Sequence, residues 1–213
     1  MNVAVPIFDR ITALDAVGPY EVLSRLPGAR VHFLAADPGA KRTDTGMLAL
    51  IADGSLAELP EPEVILVPGG PGTQALMQDE TMSWLRHAHE HSVWTTSVCT
   101  GALLLGAAGI LEGLEATTHW GSLDRLADLG AVPVRERVVT QGKVITAAGV
   151  SAGIDLALTL AALIAGEQTA RAIQLEIEYD PQPPFDSGSL QSAGAEIVEL
   201  VRRRAAASSG PRR

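Results

Sequence analysis

The stretch Val93-Trp94-Thr95-Thr96-Ser97-Val98-Cys99-Thr100-Gly101-Ala102-Leu103-Leu104-Leu105-Gly106-Ala107-Ala108 changes character at one point. Up to Val98 it is β-branched and aromatic, the composition of a strand inside a parallel sheet. From Ala102 it is apolar on nearly every face, which suits a helix buried against that sheet. Only Cys-Thr-Gly lies between, too little chain for a loop. A strand that turns so abruptly into a helix holds its central residue in a strained conformation, with the side chain lifted above the sheet. Cys99 is that residue, and it is the only cysteine in the chain. The free N–H groups at the start of the following helix are expected to hold its pKa below the free value of roughly 8.5. The alternative is a cysteine that serves only as a small buried hydrophobe.

Outward from this junction, strand and helix patterns alternate. Residues Val3 to Phe8 read as a first strand, and Asp15-Ala16-Val17-Gly18-Pro19 opens a helix with Pro19 in its first turn. The helix stops at Pro27-Gly28, and Arg30 to Ala36 alternates as a second strand, completing a βαβ unit. Lys41 to Leu50 reads as a small hairpin. Val64 to Val67 is a buried strand that ends in Pro68-Gly69-Gly70-Pro71-Gly72, either an ordinary turn or a place where backbone approaches a ligand. Thr81 to His91 is a helix, Gln141-Gly142 turns a hairpin, and Ile154 to Ala165 is a second helix apolar all round, which implies deep burial or an oligomer contact. A further helix starts at Glu167, Tyr179 to Phe185 is a proline-rich loop, and Ala193 to Ala207 is a last helix.

This order predicts an α/β fold, a flavodoxin-like three-layer sandwich with a mostly parallel central sheet and a nucleophile elbow at Cys99. Sites in such folds form at the carboxyl ends of the strands, so Asp15, Gly69-Gly70 and Cys99 should share one rim. A single domain is expected over residues 1–205, with a disordered tail over 206–213.

The formal charge of −9 over 213 residues argues against nucleic-acid binding, which needs a basic stripe. Apolar runs are broken by glycine well before membrane-spanning length, and the first residues carry no secretory pattern, so the expected address is the cytoplasm. One cysteine leaves no intramolecular disulfide and no cysteine-rich zinc site. His87 and His91 are one helical turn apart and could hold a metal ion, whereas His89 points elsewhere. No cysteine or carboxylate-rich motif accompanies them, so they read as a solvated helix face and no metal is assigned.

A thiolate needs a proton-transfer partner, and Asp15 and His119 are the candidates, with the Thr100 hydroxyl next to the sulfur. On local sequence alone Asp15 reads first as the N-cap of its helix, the commonest job of an Asp at that place. Taken together, Leu14-Asp15-x-x-Gly18-Pro19, Val67-Pro68-Gly69-Gly70, Ser97-Val98-Cys99-Thr100-Gly101, Ala116-Thr117-Thr118-His119-Trp120 and Gly149-Val150-x-Ala152-Gly153-Ile154-Asp155 resemble the ThiJ/PfpI superfamily, and within it the isocyanide (isonitrile) hydratase branch. The similarity runs in register from about Val3 to the proline-rich loop.

The resemblance implies a homodimer acting on a small molecule without a cofactor. It implies a catalytic Cys99, Asp15 as general acid/base and a Thr100 hydroxyl near the reacting atoms. Gly69 and the backbone amides of Gly70 and Val150 would border the thiolate pocket as the substrate-binding group. The implied reaction adds water to an isocyanide and gives an N-substituted formamide through a cysteine thioimidate. Thr100 stands where protease-like and chaperone-like relatives carry histidine, and Asp15 where the glyoxalase and stress-protein branches carry glutamate; His119 is left a structural role. Two other readings stay open. One is a stand-alone ligand- or oxidation-sensing module, since amino-terminal domains of some AraC-type regulators resemble the same segments, although no helix-turn-helix region follows here. The other is a glyoxalase-like enzyme.

Overall fold

Val3, Val5, Val64, Leu66 and Val98 are wholly buried against one layer of helices, and Ala4, Ile65 and Val67 against the other. That is the two-residue period of a strand covered on both faces. The computed structural model describes residues 1–77 and 80–208. Its strands are β1 (Asn2–Pro6), β2 (Arg30–Ala35), β3 (Gly39–Arg42), β4 (Ala49–Ala52), β5 (Gly54–Ser55), β6 (Val64–Val67), β7 (Trp94–Val98), β8 (Glu115–Ala116), β9 (Val132–Pro133), β10 (Val138–Gln141) and β11 (Val144–Ala147). Its α-helices are α1 (Ala13–Leu23), α2 (Thr73–Leu76), α3 (Thr81–His91), α4 (Gly101–Ala107), α5 (Leu123–Ala127), α6 (Ala152–Ala165), α7 (Glu167–Glu176) and α8 (Gly194–Ser208).

The central sheet runs β10-β11-β7-β6-β1-β2-β5. Every neighbouring pair in it is parallel except β10 with β11, the hairpin about Gln141-Gly142. The chain goes from β1 to β2 on one side and then crosses to β6 on the other, so the order reverses between β1 and β6. Ligands enter open α/β sheets at the carboxyl ends of strands beside such a reversal. The fold is the flavodoxin-like sandwich expected from the sequence, and β3 and β4 form the expected hairpin outside the sheet.

Helices α1 and α6 supply Ala16, Val22, Leu23, Leu156 and Leu160 to one layer, and α3 and α4 supply Leu85, Ala88 and Leu103 to Leu105 to the other. Every residue of α4 from Gly101 to Gly106 is buried, as its apolar composition requires. Each of its leucines stabilises the fold by about 1.5–3 kcal/mol relative to exposure. Helix α1 differs from expectation: it starts at Ala13, so Asp15 lies inside the first turn and Thr12 is the N-cap residue. Pro19 therefore sits mid-helix rather than in the first turn, where it offers no N–H to the Asp15 carbonyl.

The chain divides into two compact units, Met1–Glu178 and Tyr179–Arg213. The first holds the sheet and both helical layers. The second holds the proline-rich loop and α8, which extends to Ser208; the rest of the tail expected over 206–213 lies outside the described residues. Among the described residues no helix is long and apolar enough to cross a membrane.

Candidate active site

Cys99 ends β7 with φ at 57°, in the left-handed region, and is 5% exposed. Such a conformation costs a non-glycine residue about 1–3 kcal/mol and needs support from its surroundings. Its N–H is shared between the carbonyls of Ala147 and Ala148, each at 3.0 Å, and its carbonyl accepts the Thr118 hydroxyl at 2.8 Å. The next turn requires glycine at position 101, because a Cβ there would stand 2.1 Å from the Val67 carbonyl oxygen. Cys-Thr-Gly is thus the chain crossing the end of β6 with no space to spare.

The Asp15 side chain reaches across the reversal between β1 and β6. Its Oδ2 accepts the Gly69 N–H at 3.0 Å, and its Oδ1 is buried with no hydrogen-bond partner. The Thr12 N–H returns a bond to the Gly69 carbonyl at 3.0 Å. Thr100 closes on the next residue: its hydroxyl accepts the Gly70 N–H at 2.8 Å and donates to the Gly70 carbonyl at 3.2 Å. The Gly70 amide is therefore engaged by Thr100, whereas the amides of Thr100 and Val150 act on the Cys99 sulfur and favour its thiolate. Val150 has φ at 41°, a marked departure for a β-branched residue, where the chain turns into α6.

Gly69 is the keystone of this packing. A Cβ on it would lie 2.5 Å from the Thr100 nitrogen, 2.7 Å from the Thr100 hydroxyl and 2.9 Å from Asp15 Oδ2. Gly69→Ala should force the acid and the elbow apart, and misplacement of about 1 Å costs roughly 10²-fold in rate. We expect that loss in kcat with an unaltered circular dichroism spectrum; full activity would show that the neighbours yield freely.

The carboxyl and the thiol shift one another. Burial raises the Asp15 pKa to about 7; the Gly69 N–H and the Cys99 thiol oppose the rise, and the charge of Asp44 adds to it. The Cys99 thiol is pushed up to about 12, first by burial and then by the Asp15 charge, against the lowering effect of the Thr100 and Val150 amides. The depressed thiol pKa expected at a helix N-terminus is not found. The helix has seven residues, the sulfur is cut off from water, and a carboxylate stands beside it. The two groups titrate as a coupled pair, the carboxyl losing its proton before the thiol.

The fold thus brings Asp15, Gly69, Gly70, Cys99, Thr100 and Val150 together. His119 lies at the edge: its Nδ1 accepts the Gly121 N–H at 3.2 Å, its ring covers Gly149, and burial lowers its pKa. The sequence reading missed Asp44, whose Oδ2 accepts the Thr12 hydroxyl at 2.9 Å, and Thr118. It also missed why Gly18 and Gly153 are glycines. A Cβ on Gly18 would lie 3.1 Å from Ile154, and one on Gly153 would lie 3.0 Å from Pro19 and 3.1 Å from Val98. These approaches lock α1 to α6 and β7, and so fix the acid relative to the thiol. Glycines inside helical patterns were the available signal.

A buried carboxyl poised near neutrality, paired with a thiol, can couple sulfur attack on carbon to delivery of a proton. Residues 1–163 match the DJ-1/PfpI family. The isonitrile hydratase of Pseudomonas putida is 45% identical over 209 residues, 98% of this chain and 91% of that protein. The HTH-type transcriptional regulator CdhR of Pseudomonas aeruginosa is 31% identical over 172 residues, 78% of this chain and 50% of the regulator. The crystal structure of a ThiJ/PfpI family protein from Pseudomonas syringae aligns with a TM-score of 0.92 at 36% identity, covering 97% of this chain and 87% of that one. By sequence and by fold, the chain belongs to the DJ-1/PfpI family.

Proposed function

We propose that this protein is an isocyanide hydratase, with Cys99 as nucleophile and Asp15 as proton carrier. The observation that carries the reading is the buried Asp15 carboxyl beside the Cys99 thiol, with a pKa of about 7 and one oxygen without a partner. The extent of similarity to the Pseudomonas putida isonitrile hydratase supports it.

The chemistry follows from the proton that the pair shares. Once Asp15 has ionised, the proton left on the pair rests on sulfur. Its transfer to Asp15 leaves a thiolate held by the Thr100 and Val150 amides and, next to it, a carboxylic acid. The thiolate attacks the terminal carbon of R–N≡C while Asp15 delivers its proton to that same carbon, giving the thioimidate R–N=CH–S–Cys99. A water molecule then loses a proton to Asp15 as its oxygen bonds to carbon, and that proton passes to the nitrogen. The adduct R–NH–CH(OH)–S–Cys99 collapses: the C–S bond breaks, the hydroxyl proton leaves through Asp15 to the sulfur, and R–NH–CHO departs. All atoms come from isocyanide, water and these two side chains, and no electrons are exchanged, so the sequence of steps calls for no cofactor. Thr100 and Gly69 act as positioning residues, and Gly69, Gly70 and Val150 border the bound substrate.

Incubation with a simple aryl isocyanide tests the reading: formamide absorbance should grow catalytically, and product no greater than that of Cys99→Ala would sink it. A homodimer is part of the proposal, supported by exposed Leu14, Met47, Leu48 and Ile51 on α1 and the β3–β4 hairpin beside the acid. Light scattering should give twice the chain mass of 22.3 kDa, and a monomer mass at micromolar concentration would remove the dimer. A cytoplasmic address fits a lone free cysteine, which keeps its thiol in a reducing compartment.

A further inference from the structure

Glu61, His87 and His91 meet at the amino-terminal end of the parallel strands, away from the thiol rim. Glu61 lies just before β6, and the two histidines lie in the last turns of α3, which runs antiparallel to the strand it follows. The Nε2 atoms of His87 and His91 stand 3.4 Å and 3.8 Å from a single oxygen, Oε1 of Glu61. One ligand atom from each of the three residues lies within 4.8 Å of the others. Two imidazoles and a carboxylate form a ligand set suited to zinc. The 3.4 Å separation matches two ligands on one tetrahedral ion, roughly 3.3 Å apart for bonds of about 2.0–2.1 Å.

Two further features hold the ligands in place. His91 Nδ1 donates to the His87 carbonyl at 2.9 Å. A carbonyl oxygen only accepts, so the ring proton is on Nδ1, and in the neutral ring Nε2 turns its lone pair toward a carboxylate. That nitrogen is thus left free to coordinate a cation beside the carboxylate. A backbone carbonyl fixing the far ring nitrogen is also how metal-bound histidines are commonly oriented. The loop that carries Glu61 is pinned to the same helix by the Trp84 indole N–H, which donates to the Leu59 carbonyl at 3.1 Å. His89 takes no part; its Nδ1 pairs with the Thr95 hydroxyl at 2.8 Å.

We propose that Glu61, His87 and His91 bind a divalent transition-metal ion of the zinc class, with water completing its coordination. The ion clips the loop before β6 to α3 and stands a strand's length from Cys99, so it takes no part in the hydration. The three side chains are 55%, 47% and 43% exposed, so binding should be weaker than at a buried structural zinc.

Equilibrium dialysis of the full chain with Zn²⁺, in a Cys99→Ser background that removes the competing thiol, tests this. One zinc should bind per chain, and Glu61→Gln should weaken binding by about tenfold or more. His87→Gln should abolish it, and zinc should raise the melting temperature of the parent more than that of Glu61→Gln. Unchanged binding in Glu61→Gln would reduce the site to a bare histidine pair and overturn the proposal. Absence of saturable binding would overturn it equally. Isocyanide hydration by Glu61→Gln in the otherwise native chain should equal that of the parent, which keeps this outcome separate from the fate of the proposed activity.

Discussion

Cys99→Ala should reduce formamide production from an aryl isocyanide by about 10⁴-fold or more, to the level of the uncatalysed reaction. The alanine keeps the backbone bonds of the elbow to Ala147, Ala148 and Thr118, because all three use main-chain atoms of residue 99. It loses only the sulfur, so the melting transition should survive while turnover does not. The size of the loss follows from the route: without sulfur no thioimidate forms, and water must attack a carbon that accepts a nucleophile only while being protonated. Asp15 alone would then have to supply the whole acceleration. An alanine variant retaining a tenth of parent activity would move the nucleophile elsewhere.

Asp15→Asn separates thiol reactivity from catalysis. Turnover should fall by about 10²–10⁴-fold, the range for a positioned acid/base. In the parent, kcat/KM should rise with pH through about 7, since below that value both members of the pair are protonated and nothing takes the thiol proton. Asn cannot titrate, so the inflection should vanish. The Asp15 charge is the second cause of the raised thiol pKa. Its removal should therefore make Cys99 more acidic, and iodoacetamide should alkylate the variant faster than the parent at the same alkaline pH. Slower alkylation would mean that the charge does not reach the sulfur.

The same substitution has a stability signature. Burial raises the Asp15 pKa from 3.8 to about 7. A group raised on folding contributes its full stability below the unfolded value and loses it as pH climbs through the folded one. The protein should thus lose on the order of 4 kcal/mol between about pH 4 and the far side of pH 7 from this group alone. Asn can still accept the Gly69 N–H and carries no charge to bury. Asp15→Asn should match the parent near pH 4 and exceed it above pH 7, as urea denaturation at the two pH values would show.

The fold was legible because its signals are local. The β-branched run before Cys99, the apolar run after it and the glycine that follows each depend on neighbours in the chain, and the structure gives each a contact. The start of α1 was misread because Pro19 suits a first turn, and here the helix tolerates it in its middle instead. The thiol pKa was misjudged for a different reason. Sequence reveals the helix that follows a cysteine, but burial of its sulfur and the carboxylate brought from position 15 are properties of the folded chain. Glu61 was equally out of reach: nothing near His87 and His91 in sequence announces a carboxylate delivered by the loop ahead of β6.

The Asp15 carboxyl, with one oxygen buried and without a hydrogen-bond partner, gives one atom of the product a traceable origin on the proposed route. On the proposed route the hydrogen bonded to the formyl carbon is the one the sulfur held before the isocyanide arrived, and the water that adds afterwards supplies the oxygen, the N–H hydrogen and the replacement on sulfur. Each formamide leaves carrying a hydrogen on loan from the protein. In deuterated solvent, the isotope at that carbon therefore records how quickly the empty site exchanges with its surroundings.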